Sequence, residues 1–449
     1  MGIGGSGMSG VAGIAHELGY IVDGCDVNTE SLYLDPLRSK IKIFQGHSVE
    51  HTKDKDILIV SPAIYYKYPP ESEIRGFEPT LTWQEFLGKY LHKGYEVVAV
   101  SGTHGKSTTT ALLAQVFTEA GLDPTVMVGA KVPGFGANYR VGKGTIFVTE
   151  ADEFYDNFLN YSPETIILNN LEFDHPDYFP EIHNLYSSFV KHILSLRGKK
   201  ILIVNGDSIG VRKLLRKVDL KRNGISLYMY STRRKEADFY ARIIERSAYG
   251  TRFIVSQKGT GQKEPYSIKL YGDHNVSNIL GVIAVCSLYS IKQDVVRKIL
   301  ASFEGIGRRL ELIGKKNGIF IYDDYAHHPT AIKATLSALR QKHPISRIFA
   351  VVEPHSYSRT KSLIKYYVSA FNDAYSVTIA PIFKARDKKD FGMTEGKLAG
   401  VIDHARVGAF ASFEQIATSL PKELKKKDVV VVLGAGNSSE LAMMIKDAI

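Results

Sequence analysis

Short apolar runs alternate with amphipathic stretches along most of the chain. The apolar runs predict β-strands, and apolar side chains at helical spacing between them predict helices. The predicted strands cover residues 56–60, 96–100, 146–149, 165–168, 318–322, 348–352, 376–379 and 429–433, and the predicted helices cover 11–18, 108–120 and 329–339. Because apolar strands that alternate with helices form parallel sheets covered on both faces, we expect an α/β fold with mostly parallel sheets.

The pattern changes twice along the chain, which predicts three domains. We expect a small α/β domain over residues 1–92, a second α/β domain over 93–313, and a third over 314–449. Within the second domain, the irregular and basic stretch 207–270 predicts short strands and turns. The length of 449 residues agrees with several domains, because single cores rarely grow beyond about 250–300 residues.

The chain carries 57 basic and 47 acidic residues, which gives a formal charge of +10. Excess positive charge is typical of proteins that bind nucleic acid, but here the basic residues are dispersed along the sequence. An anionic small substrate accounts for the excess equally well. Charge alone does not decide between the two, and the motifs below favour the small substrate over nucleic acid.

The cysteine content and the N-terminus indicate a cellular compartment. Cys25 and Cys286 lie far apart and outside any CxxC pattern, which favours a reducing environment. The N-terminus has glycines where a secretory signal has a basic segment and an apolar core. No apolar run approaches the roughly 20 residues of a spanning helix. We therefore expect a soluble, cytoplasmic protein that does not act at a membrane.

A glycine-rich segment, GIGGSG, occupies residues 2–7. Glycines let the backbone approach a diphosphate and turn into a helix N-terminus, where free N–H groups favour anions. An ordinary strand-to-helix turn has the same composition, and no strand precedes the segment in the sequence. Asp26 lies about 20 residues further on, where a dinucleotide-binding protein holds a ribose. We favour a diphosphate of some kind at this loop.

The strongest signal is GTHGKS at residues 102–107, which follows a predicted strand and opens a predicted helix. Backbone N–H groups of such a loop surround phosphate oxygens, Lys106 supplies a positive charge, and the hydroxyl of Ser107 suits Mg²⁺. The loop is shorter than the common GxxxxGK[ST] form. A glycine-rich turn with a chance lysine is the alternative, which the combination of strand, loop and helix disfavours.

Two predicted strands end in acidic segments, EADE at 150–153 and NNLEFDH at 169–175. Carboxylates suit a hard cation such as Mg²⁺, and a histidine beside an aspartate suits a metal or a phosphate. Each segment alone is more typical of a solvated or structural turn. Because both follow the same phosphate loop, we favour metal binding.

Further polar segments follow later strands, at the edge where open α/β sheets bind ligands. HNVSN at 274–278 opens an apolar helix and suits an adenine edge, although Asn275 is equally suited to cap that helix. Arg308 and Arg309 lie in a glycine-containing loop within reach of a phosphate. The segments at 322–329 and 353–360 gather ionisable side chains in a number that structural loops rarely need.

Taken together, these segments resemble the Mur ligase family. The matching motifs span nearly the whole chain and are GIGGSGMS, SPAI at 61–64, GTHGKSTTT, EADE, NNLEFDH, HNVSN, GRR, DDYAHHPT, PHSYSRT and LGAG at 433–436. The family's short GTxGK[ST] loop accounts for the shortened phosphate loop. The resemblance implies an N-terminal Rossmann-like domain that binds a UDP-sugar, a central P-loop-type ATPase domain, and a C-terminal Rossmann-like domain for the incoming amino acid.

The resemblance also implies a reaction. A ligase of this kind uses ATP to activate the carboxylate of UDP-N-acetylmuramate as an acyl phosphate, which the amine of L-alanine attacks in an early step of peptidoglycan synthesis. ATP and Mg²⁺ are the expected cofactors, and a monomer or weak dimer is the expected state. The alternative acceptor is L-Ala-γ-D-Glu-meso-diaminopimelate, which is joined to the same nucleotide in cell-wall recycling.

The resemblance assigns roles to the residues that match the family's motifs. It implies catalytic roles for Lys106, Glu150, His175, Arg309, His328 and Arg359, and Mg²⁺ ligation by Ser107, Glu150 and His175. It places the nucleotide at Gly102, Thr103, His104, Gly105, Lys106, Ser107, Thr108, Asn170, His274, Asn275, Asn278, Arg309 and Asp324. It places the nucleotide sugar and the acceptor at Gly4, Gly5, Ser6, Gly7, Met8, Ser9, Ser61, Asn138, Arg140, Tyr325, His328 and Arg359.

One departure from the family bears on the acceptor. Ser356 stands where alanine-adding members have an arginine after the PH of PHxYSRT. NNLEFDH and AHHPTAIKATLSALR are similar to the recycling ligase, whereas PHSYSRT and LGAG favour alanine. We expect alanine, held by Arg359, with Ser356 as the position on which the choice between the acceptors depends.

Two other classes of protein use single motifs of this set. A nicotinamide oxidoreductase would use GIGGSG for its dinucleotide but would leave GTHGKS without a purpose. A non-catalytic nucleotide switch would need GTHGKS but not the clusters at 322–329 and 353–360. A ligase accounts for all of these segments.

Overall fold

The computed structural model describes residues 1–66 and 74–449. Its N-terminal part holds two pairs of parallel strands, β1 with β2 and β3 with β4. These strands are β1 (Asp23–Asp26), β2 (Lys42–Gln45), β3 (Leu58–Val60) and β4 (Thr80–Thr82). The helices are α1 (Ser6–Glu17), α2 (Pro62–Tyr65) and α3 (Trp83–Phe86), together with short turns of other helix types at Val49–Thr52 and Leu87–Leu91.

Residues 1–3 occupy the position of the strand that the sequence lacks before the glycine loop. The Met1 amino group donates to the carbonyl of Ile59 (2.7 Å), and the Gly2 N–H donates to the carbonyl of Cys25 (2.8 Å). The segment therefore runs between β3 and β1 and leads directly into α1. It is too short for its pattern to be recognised in the sequence.

Helix α1 begins at Ser6, five residues before the predicted start of the 11–18 helix. Glycine and serine have low helix propensity, which hides the first turns from a pattern-based prediction. Tertiary packing explains the glycines: a Cβ at Gly7 would lie 2.5 Å from Trp83, and one at Gly13 would lie 2.1 Å from Tyr139. Close packing of α1 against Trp83 of α3 therefore requires Gly7, and its close approach to Tyr139 of the central part requires Gly13.

The central part is built on one ten-stranded sheet. Its strands are β5 (Glu96–Ser101), β6 (Thr125–Val132), β7 (Ala137–Arg140), β8 (Ile146–Ala151), β9 (Thr165–Leu168), β10 (Ile201–Asn205), β11 (Ser226–Ser231), β12 (Phe239–Ser247), β13 (Gly250–Gln257) and β14 (Lys263–Ile268). Their spatial order is β14-β13-β12-β11-β10-β9-β5-β8-β6-β7, and only the pairs β6–β7, β12–β13 and β13–β14 are antiparallel.

Helices cover both faces of this sheet. They are α4 (Lys106–Glu119), α5 (Ile182–Leu194), α6 (Ile209–Leu215), α7 (Asp273–Leu288) and α8 (Gln293–Ser302), and a 3-10 segment covers Phe154–Asn160. Helices α4, α7 and α8 share one core with the sheet, in which Phe117 and Val282 are fully buried. Helices α5 and α6 share the opposite core with α1, in which Phe189 is buried.

The stretch 207–270 holds more regular structure than the predicted short strands and turns. It contains α6 and four strands, of which β12 has nine residues. Beyond Ala241 the side chains of β12 are mostly exposed, since this part of the sheet is an antiparallel extension. A strand with little buried surface lacks the apolar signal by which strands are predicted.

The third part is a six-stranded sheet with helices on both faces. Its strands are β15 (Glu311–Lys316), β16 (Ile319–Asp324), β17 (Ile348–Val352), β18 (Ser376–Ile379), β19 (Val407–Ala409) and β20 (Val429–Leu433). Its helices are α9 (Pro329–Lys342), α10 (Tyr357–Tyr367), α11 (Glu395–Val401), α12 (Phe413–Ser419) and α13 (Ser438–Ala448), with a short 3-10 turn at Leu420–Glu423. The order is β15-β16-β20-β17-β18-β19, and only β15 is antiparallel to its neighbour.

The α/β class with mostly parallel sheets is confirmed. The predicted strands at 165–168, 348–352, 376–379 and 429–433 coincide with β9, β17, β18 and β20. The other predicted strands differ from the observed ones by one or two residues at an end. Within residues 1–66 and 74–449, no helix has both the length and the apolar character needed to cross a membrane.

Candidate active site

The carboxyl ends of the parallel strands in the two larger sheets face one cleft of about 870 Å³. Loops that follow β5, β8 and β9 line one side, and loops that follow β16 and β17 line the other. The N-terminal part contributes Trp83 and the start of α1. Open α/β sheets bind ligands at this edge, and here two such edges meet.

Residues 102–105 form a tight turn between β5 and α4, and Lys106 and Ser107 are the first two residues of α4, which begins two residues before the predicted start at 108. Gly102 and Gly105 have φ angles of +128° and +82°, in the region that favours glycine. A Cβ at Gly105 would lie 2.3 Å from Oδ1 of Asn278, so that Asn278 packs directly against the loop. Because the first N–H groups of a helix have no partner within it, the start of α4 provides an anion site beside the cleft.

Asn170 supports this loop from below. Its Oδ1 accepts a hydrogen bond from the His104 N–H (2.8 Å), and its Nδ2 donates to the His104 carbonyl (3.0 Å). The hydroxyl of Thr103 accepts in the same way from the N–H of Glu172 (2.9 Å). Asn170 is thus engaged with the backbone and does not line the cleft, in contrast to its predicted contact with the nucleotide.

The side-chain ammonium group of Lys106 contacts acidic side chains. Its Nζ lies 2.8 Å from Oε2 of Glu153, 2.7 Å from the carbonyl of Gly102 and 3.5 Å from Oδ1 of Asp152. Burial lowers the pKa of Lys106, but the carboxylates of Glu153 and Asp152 outweigh burial and raise the pKa above its ordinary value. Lys106 therefore stays protonated, and its charge becomes available to any phosphate that displaces Glu153.

Glu150 lies at the end of β8, next to the phosphate loop. Its Oε1 accepts a hydrogen bond from the N–H of Gly129 (2.6 Å). Burial raises the pKa of Glu150, while Gly129, Lys106 and the hydroxyl of Ser107 oppose the rise. A carboxylate beside a serine hydroxyl is an oxygen-donor pair that fits a hard divalent cation.

His175 belongs to a second group of donors. One ligand atom each of Asp152, Glu153 and His175 lie within 4.8 Å of one another. His175 has a φ angle of +56°, and its ring lies 4.4 Å from the ring of Phe154. His175, predicted as a metal ligand, thus lies beside two carboxylates with which it could share an ion.

Arg359, in α10, reaches across the cleft to the loop after β9. Its Nε donates to Oδ1 of Asp174 (2.8 Å), its Nη2 to Nδ1 of His175 (2.9 Å), and its Nη1 lies 3.4 Å from Nδ1 of His355. Arg359 and Asp174 are both buried. Although burial raises the pKa of Asp174, the guanidinium of Arg359 and the neighbouring histidines hold it well below its ordinary value. The second and third domains are therefore joined here by a buried ion pair.

His328 caps helix α9 and also faces the central domain. Its Nδ1 accepts from the N–H of Thr330 (3.2 Å), and its Nε2 donates to the carbonyl of Phe173 (3.4 Å). Burial lowers the pKa of His328 to about 4, which keeps the ring neutral. Glu172 lies between His328 and His104, at 3.7 Å and 3.5 Å, and although burial raises the pKa of Glu172, the two histidines bring it to about 2.

The two adjacent arginines after the central domain have different surroundings. Arg308 is held by the third domain, through Oδ2 of Asp323 (3.2 Å) and the carbonyl of Gly434 (2.9 Å). Arg309 lines the cleft with its guanidinium 5.2 Å from the ring of Tyr325, which also lines the cleft. Both arginines line the cleft, and Arg308 is in addition tied to the third domain.

Asp324, predicted to contact the ribose, is not at the cleft. It is buried, and its two carboxylate oxygens accept from the N–H groups of Leu310 (2.7 Å) and Ala326 (2.8 Å). Its hydrogen bonds shape the loop that carries Tyr325. Both carboxylate oxygens are thus engaged with backbone groups of this loop.

The predicted adenine contacts lie behind the phosphate loop. Helix α7 begins at Asp273, so Asn275 is in its first turn and does not cap it; its Nδ2 donates to the carbonyl of Tyr271 (2.8 Å). Burial lowers the pKa of His274 to about 4. Neither residue lines the cleft, and only Asn278, against Gly105, touches the loop.

The N-terminal glycine loop reaches the cleft through Ser6 and Gly7. The N–H of Gly4 donates to Oδ2 of Asp26 (2.7 Å), so Asp26 holds the loop itself. The other predicted sugar-binding residues of the loop do not line the cleft; they are Gly4, Gly5, Met8 and Ser9. Ser9 is buried.

Three more predicted substrate contacts have structural partners. Nδ2 of Asn138 lies 3.2 Å from Oγ of Ser9 and ties β7 to α1. Arg140 forms an ion pair with Asp123, and Ser61 packs beneath Gly2. None of the three lines the cleft. Thr108 likewise lies within α4 and is buried.

The structure adds cleft residues to which the sequence analysis gave no role. Asp152, Asp174 and His355 line the cleft and belong to motifs that the sequence analysis recognised, so the motifs could have identified them. Trp83 is the only tryptophan in the sequence, and this rarity could have drawn attention to it. Arg386 carries no sequence signal, because it lies in a loop after β18 without a motif.

A phosphate loop, an acidic metal-type cluster and an arginine from a third α/β domain meet in this cleft, and together they define an ATP-dependent ligase of three domains. Family models agree along the chain: "Mur ligase family, catalytic domain" matches residues 1–79, "Mur ligase middle domain" matches 100–286, and "Mur ligase, glutamate ligase domain" matches 308–436. The chain belongs to the Mur ligase family.

Curated relatives cover the full chain. The UDP-N-acetylmuramate–L-alanine ligase of Acetivibrio thermocellus is 35% identical over 451 residues, covering 100% of this chain and 95% of the relative. The enzyme of the same name from Geobacter sp. is 34% identical and covers 97% of this chain and 94% of the relative.

Solved structures agree in fold. The UDP-N-acetylmuramate-alanine ligase MurC of Thermotoga maritima has a TM-score of 0.80 at 24% identity and covers 99% of this chain and 97% of its own. A murein peptide ligase from Psychrobacter arcticus has a TM-score of 0.70 at 26% identity, with 100% and 97% covered.

Proposed function

We propose that this chain joins L-alanine to UDP-N-acetylmuramate with ATP, through an acyl phosphate, as an early step of peptidoglycan synthesis. One observation carries the proposal: Lys106 at the phosphate loop and Arg359 from the third domain face the same cleft. The names of the full-length relatives supply the substrates. Residues 1–92, 93–313 and 314–449 would then be the UDP-sugar, ATP and amino-acid domains.

ATP fits the loop at residues 102–107. The backbone turn needs glycine at 102 and 105, and Lys106 is a protonated group at this turn that could transfer from Glu153 to a phosphate. Mg²⁺ fits Ser107 with Glu150 and, at a second position, His175 with its neighbouring carboxylates. When bound, such ions offset negative charge on phosphate oxygens.

The residues of the cleft are suited to reduce the repulsion between two negatively charged reactants. The γ-phosphate and the muramate carboxylate are both anionic, and the carboxylate oxygen must approach the phosphorus in line. Lys106 and Arg309 supply positive charge at the phosphates, which lowers the cost of that approach. A carboxylate oxygen forms a bond to the γ-phosphorus, and the bond from that phosphorus to ADP breaks. The products are the acyl phosphate and ADP.

The second step joins the amine to the activated carbonyl. The neutral amine of the acceptor attacks the acyl carbon, and inorganic phosphate leaves with one oxygen from the original carboxylate. His355 is neutral, because burial lowers its pKa to about 4, whereas both ring nitrogens of His328 are engaged with Thr330 and Phe173. A neutral imidazole near the acceptor can take up the proton that the amine loses.

The contact between Arg359 and Asp174 supports exclusion of water during these steps. A buried ion pair across the cleft is an arrangement in which the third domain lies close to the central one. Keeping water from the acyl phosphate prevents its hydrolysis. We propose a cytoplasmic protein that works as a monomer or weak dimer.

The test is release of ADP with ATP, Mg²⁺ and UDP-N-acetylmuramate, comparing L-alanine, glycine, L-serine and the tripeptide L-Ala-γ-D-Glu-meso-diaminopimelate. We expect the highest kcat/KM with L-alanine. The recycling function is the second candidate, because a murein peptide ligase shares the fold at 26% identity. Efficient use of the tripeptide with negligible use of L-alanine would replace the first candidate by the second.

A further inference from the structure

Arg386 lies in the loop between β18 and α11 and lines the cleft. Its guanidinium lies over the ring of Phe154, 4.8 Å from the centroid, and 5.9 Å from that of Tyr155. Within the part of the chain that the structure describes, no carboxylate pairs with it. A cation in a ligand cleft without a protein anion is suited to an anionic group of a ligand.

The loop that carries Arg386 is fixed on both sides. On one side, the Ser356 N–H donates to the carbonyl of Phe383 (2.8 Å). On the other, the carboxylate of Asp387 accepts from the N–H and the hydroxyl of Ser358, at 2.8 Å each. Arg386 therefore stands beside the start of α10, which carries Arg359, and its position is set before a ligand arrives.

Arg359 is poorly placed to hold an acceptor carboxylate alone. Its guanidinium already bonds Asp174 and His175 and lies near His355. The Asp174 carboxylate offsets its charge within the buried pair. An additional carboxylate would have to share these donors.

The side chain of Ser356 is also not placed to bind the acceptor carboxylate. Its Oγ accepts from the N–H of Arg359 (3.2 Å) and caps α10, and its φ angle is +62°. A serine hydroxyl carries no positive charge for a carboxylate, whereas a neighbouring loop presents Arg386 to the same cleft. Both Arg359 and Arg386 contribute to the lowered pKa of His355, which places them around one histidine.

Resting on the proposed function, we infer that Arg386 binds the α-carboxylate of the free amino-acid acceptor. The ring of Phe154 contacts both the guanidinium of Arg386 and the ring of His175, so Arg386 stands close to the residues of the central domain that line the cleft. Two parallel N–H···O bonds from a guanidinium orient a carboxylate and so direct the amine of the same amino acid. Arg386 is a specificity-determining residue: it selects acceptors with a free carboxylate next to the reacting amine.

The test compares L-alanine with L-alaninamide, which keeps the amine but lacks the carboxylate. Steady-state ADP release is measured for the wild type, Arg386→Ala and Arg386→Lys. Lys388→Ala is the matched control, since Lys388 is an exposed cation two residues away that does not line the cleft. KM for ATP and for UDP-N-acetylmuramate is determined in parallel.

We expect Arg386→Ala to raise KM for L-alanine about 10- to 150-fold, the factor for one charge-assisted interaction. The preference for L-alanine over L-alaninamide should fall by the same factor. The KM of Arg386→Lys for L-alanine should lie between those of the wild type and Arg386→Ala, because lysine keeps the charge but lacks the paired donors. Lys388→Ala should match the wild type.

Two results would overturn the inference. One is an unchanged preference for L-alanine over L-alaninamide in Arg386→Ala. The other is a rise in KM for ATP in place of that for L-alanine, which would assign Arg386 to the phosphates. A wild type that releases ADP with none of the acceptors would contradict the proposed function itself, and so the two failures are distinguishable.

Discussion

Nζ of Lys106 lies 2.8 Å from Oε2 of Glu153, whose side chain is 2% exposed. The loop lysine that the sequence marks as a phosphate ligand is therefore paired with a buried carboxylate. The binding of an anion has to replace this pair, and the lysine cannot be removed without leaving Glu153 unpaired.

Lys106→Met should abolish ligation and also destabilise the fold. Loss of one positive group at developing charge costs about 10²- to 10³-fold in turnover. An uncompensated buried carboxylate costs about 3 kcal/mol or more. The double variant Lys106→Met with Glu153→Gln should recover most of the stability but none of the turnover, as measured by thermal unfolding and ADP release. Near-normal ligation by Lys106→Met would remove the phosphate-loop assignment.

Glu150→Gln should act through the metal. The substitution keeps the shape and an acceptor for the Gly129 N–H but removes the charge that favours Mg²⁺. We expect the Mg²⁺ concentration for half-maximal activity to rise about 10-fold or more, with partial rescue at high Mg²⁺. Glu119→Gln, on the exposed side of the central domain, is the control. Identical Mg²⁺ titrations for Glu150→Gln and the wild type would make Glu150 a structural carboxylate.

Ser356→Arg should not improve alanine binding. From the sequence alone, restoring the arginine of the relatives is expected to lower KM for L-alanine. In the structure, the hydroxyl of Ser356 caps α10, so the arginine would lose the cap at a cost of about 0.5–2 kcal/mol. Ser356→Asn, which can also cap a helix, should be nearly neutral. A lower KM with unchanged unfolding temperature in Ser356→Arg would contradict this account.

His192 should make stability depend on pH. It is fully buried against the ring of Phe158, and no described residue hydrogen-bonds its ring nitrogens. Burial lowers its pKa from 6.5 to about 3. The unfolded chain therefore binds more protons between these values, and stability is lost as the pH falls below about 6.5.

At pH 5 this histidine should cost about 2 kcal/mol relative to pH 8. His192→Phe should remove that part of the pH dependence, as measured by urea unfolding at the two pH values. His183→Gln, a substitution of an exposed histidine, is the control. Equal pH dependence of the wild type and His192→Phe would show that the ring is already protonated or exposed.

The sequence analysis could identify those residues of the candidate site that lie at or after the ends of strands. Glu150, His175 and Arg359 each follow an apolar strand, and parallel strands bring their carboxyl ends to one edge. The periodic pattern thus carries the information that these distant residues meet. The phosphate loop was recognisable because its glycines and lysine occupy adjacent positions.

Other features depend on contacts that no local pattern encodes. Residues 1–3 complete the N-terminal sheet through hydrogen bonds to two distant strands, and Asp324 and Asn170 turned out to bond backbone groups. Arg386 lies in a loop whose place is set by Asp387 and Ser358. Tertiary packing decides these cases, and a single sequence does not show which of its polar side chains will be used internally.

The central claim is that the reaction passes through an acyl phosphate. Transfer of oxygen from the carboxylate to inorganic phosphate tests this claim most directly. The carboxylate of UDP-N-acetylmuramate is labelled with ¹⁸O, and the chain is supplied with ATP, Mg²⁺ and L-alanine. An acyl phosphate requires that one labelled oxygen leave in inorganic phosphate for each amide formed, and the account predicts this equal stoichiometry by mass spectrometry. Formation of ADP with unlabelled phosphate, or without an amide product, would contradict it.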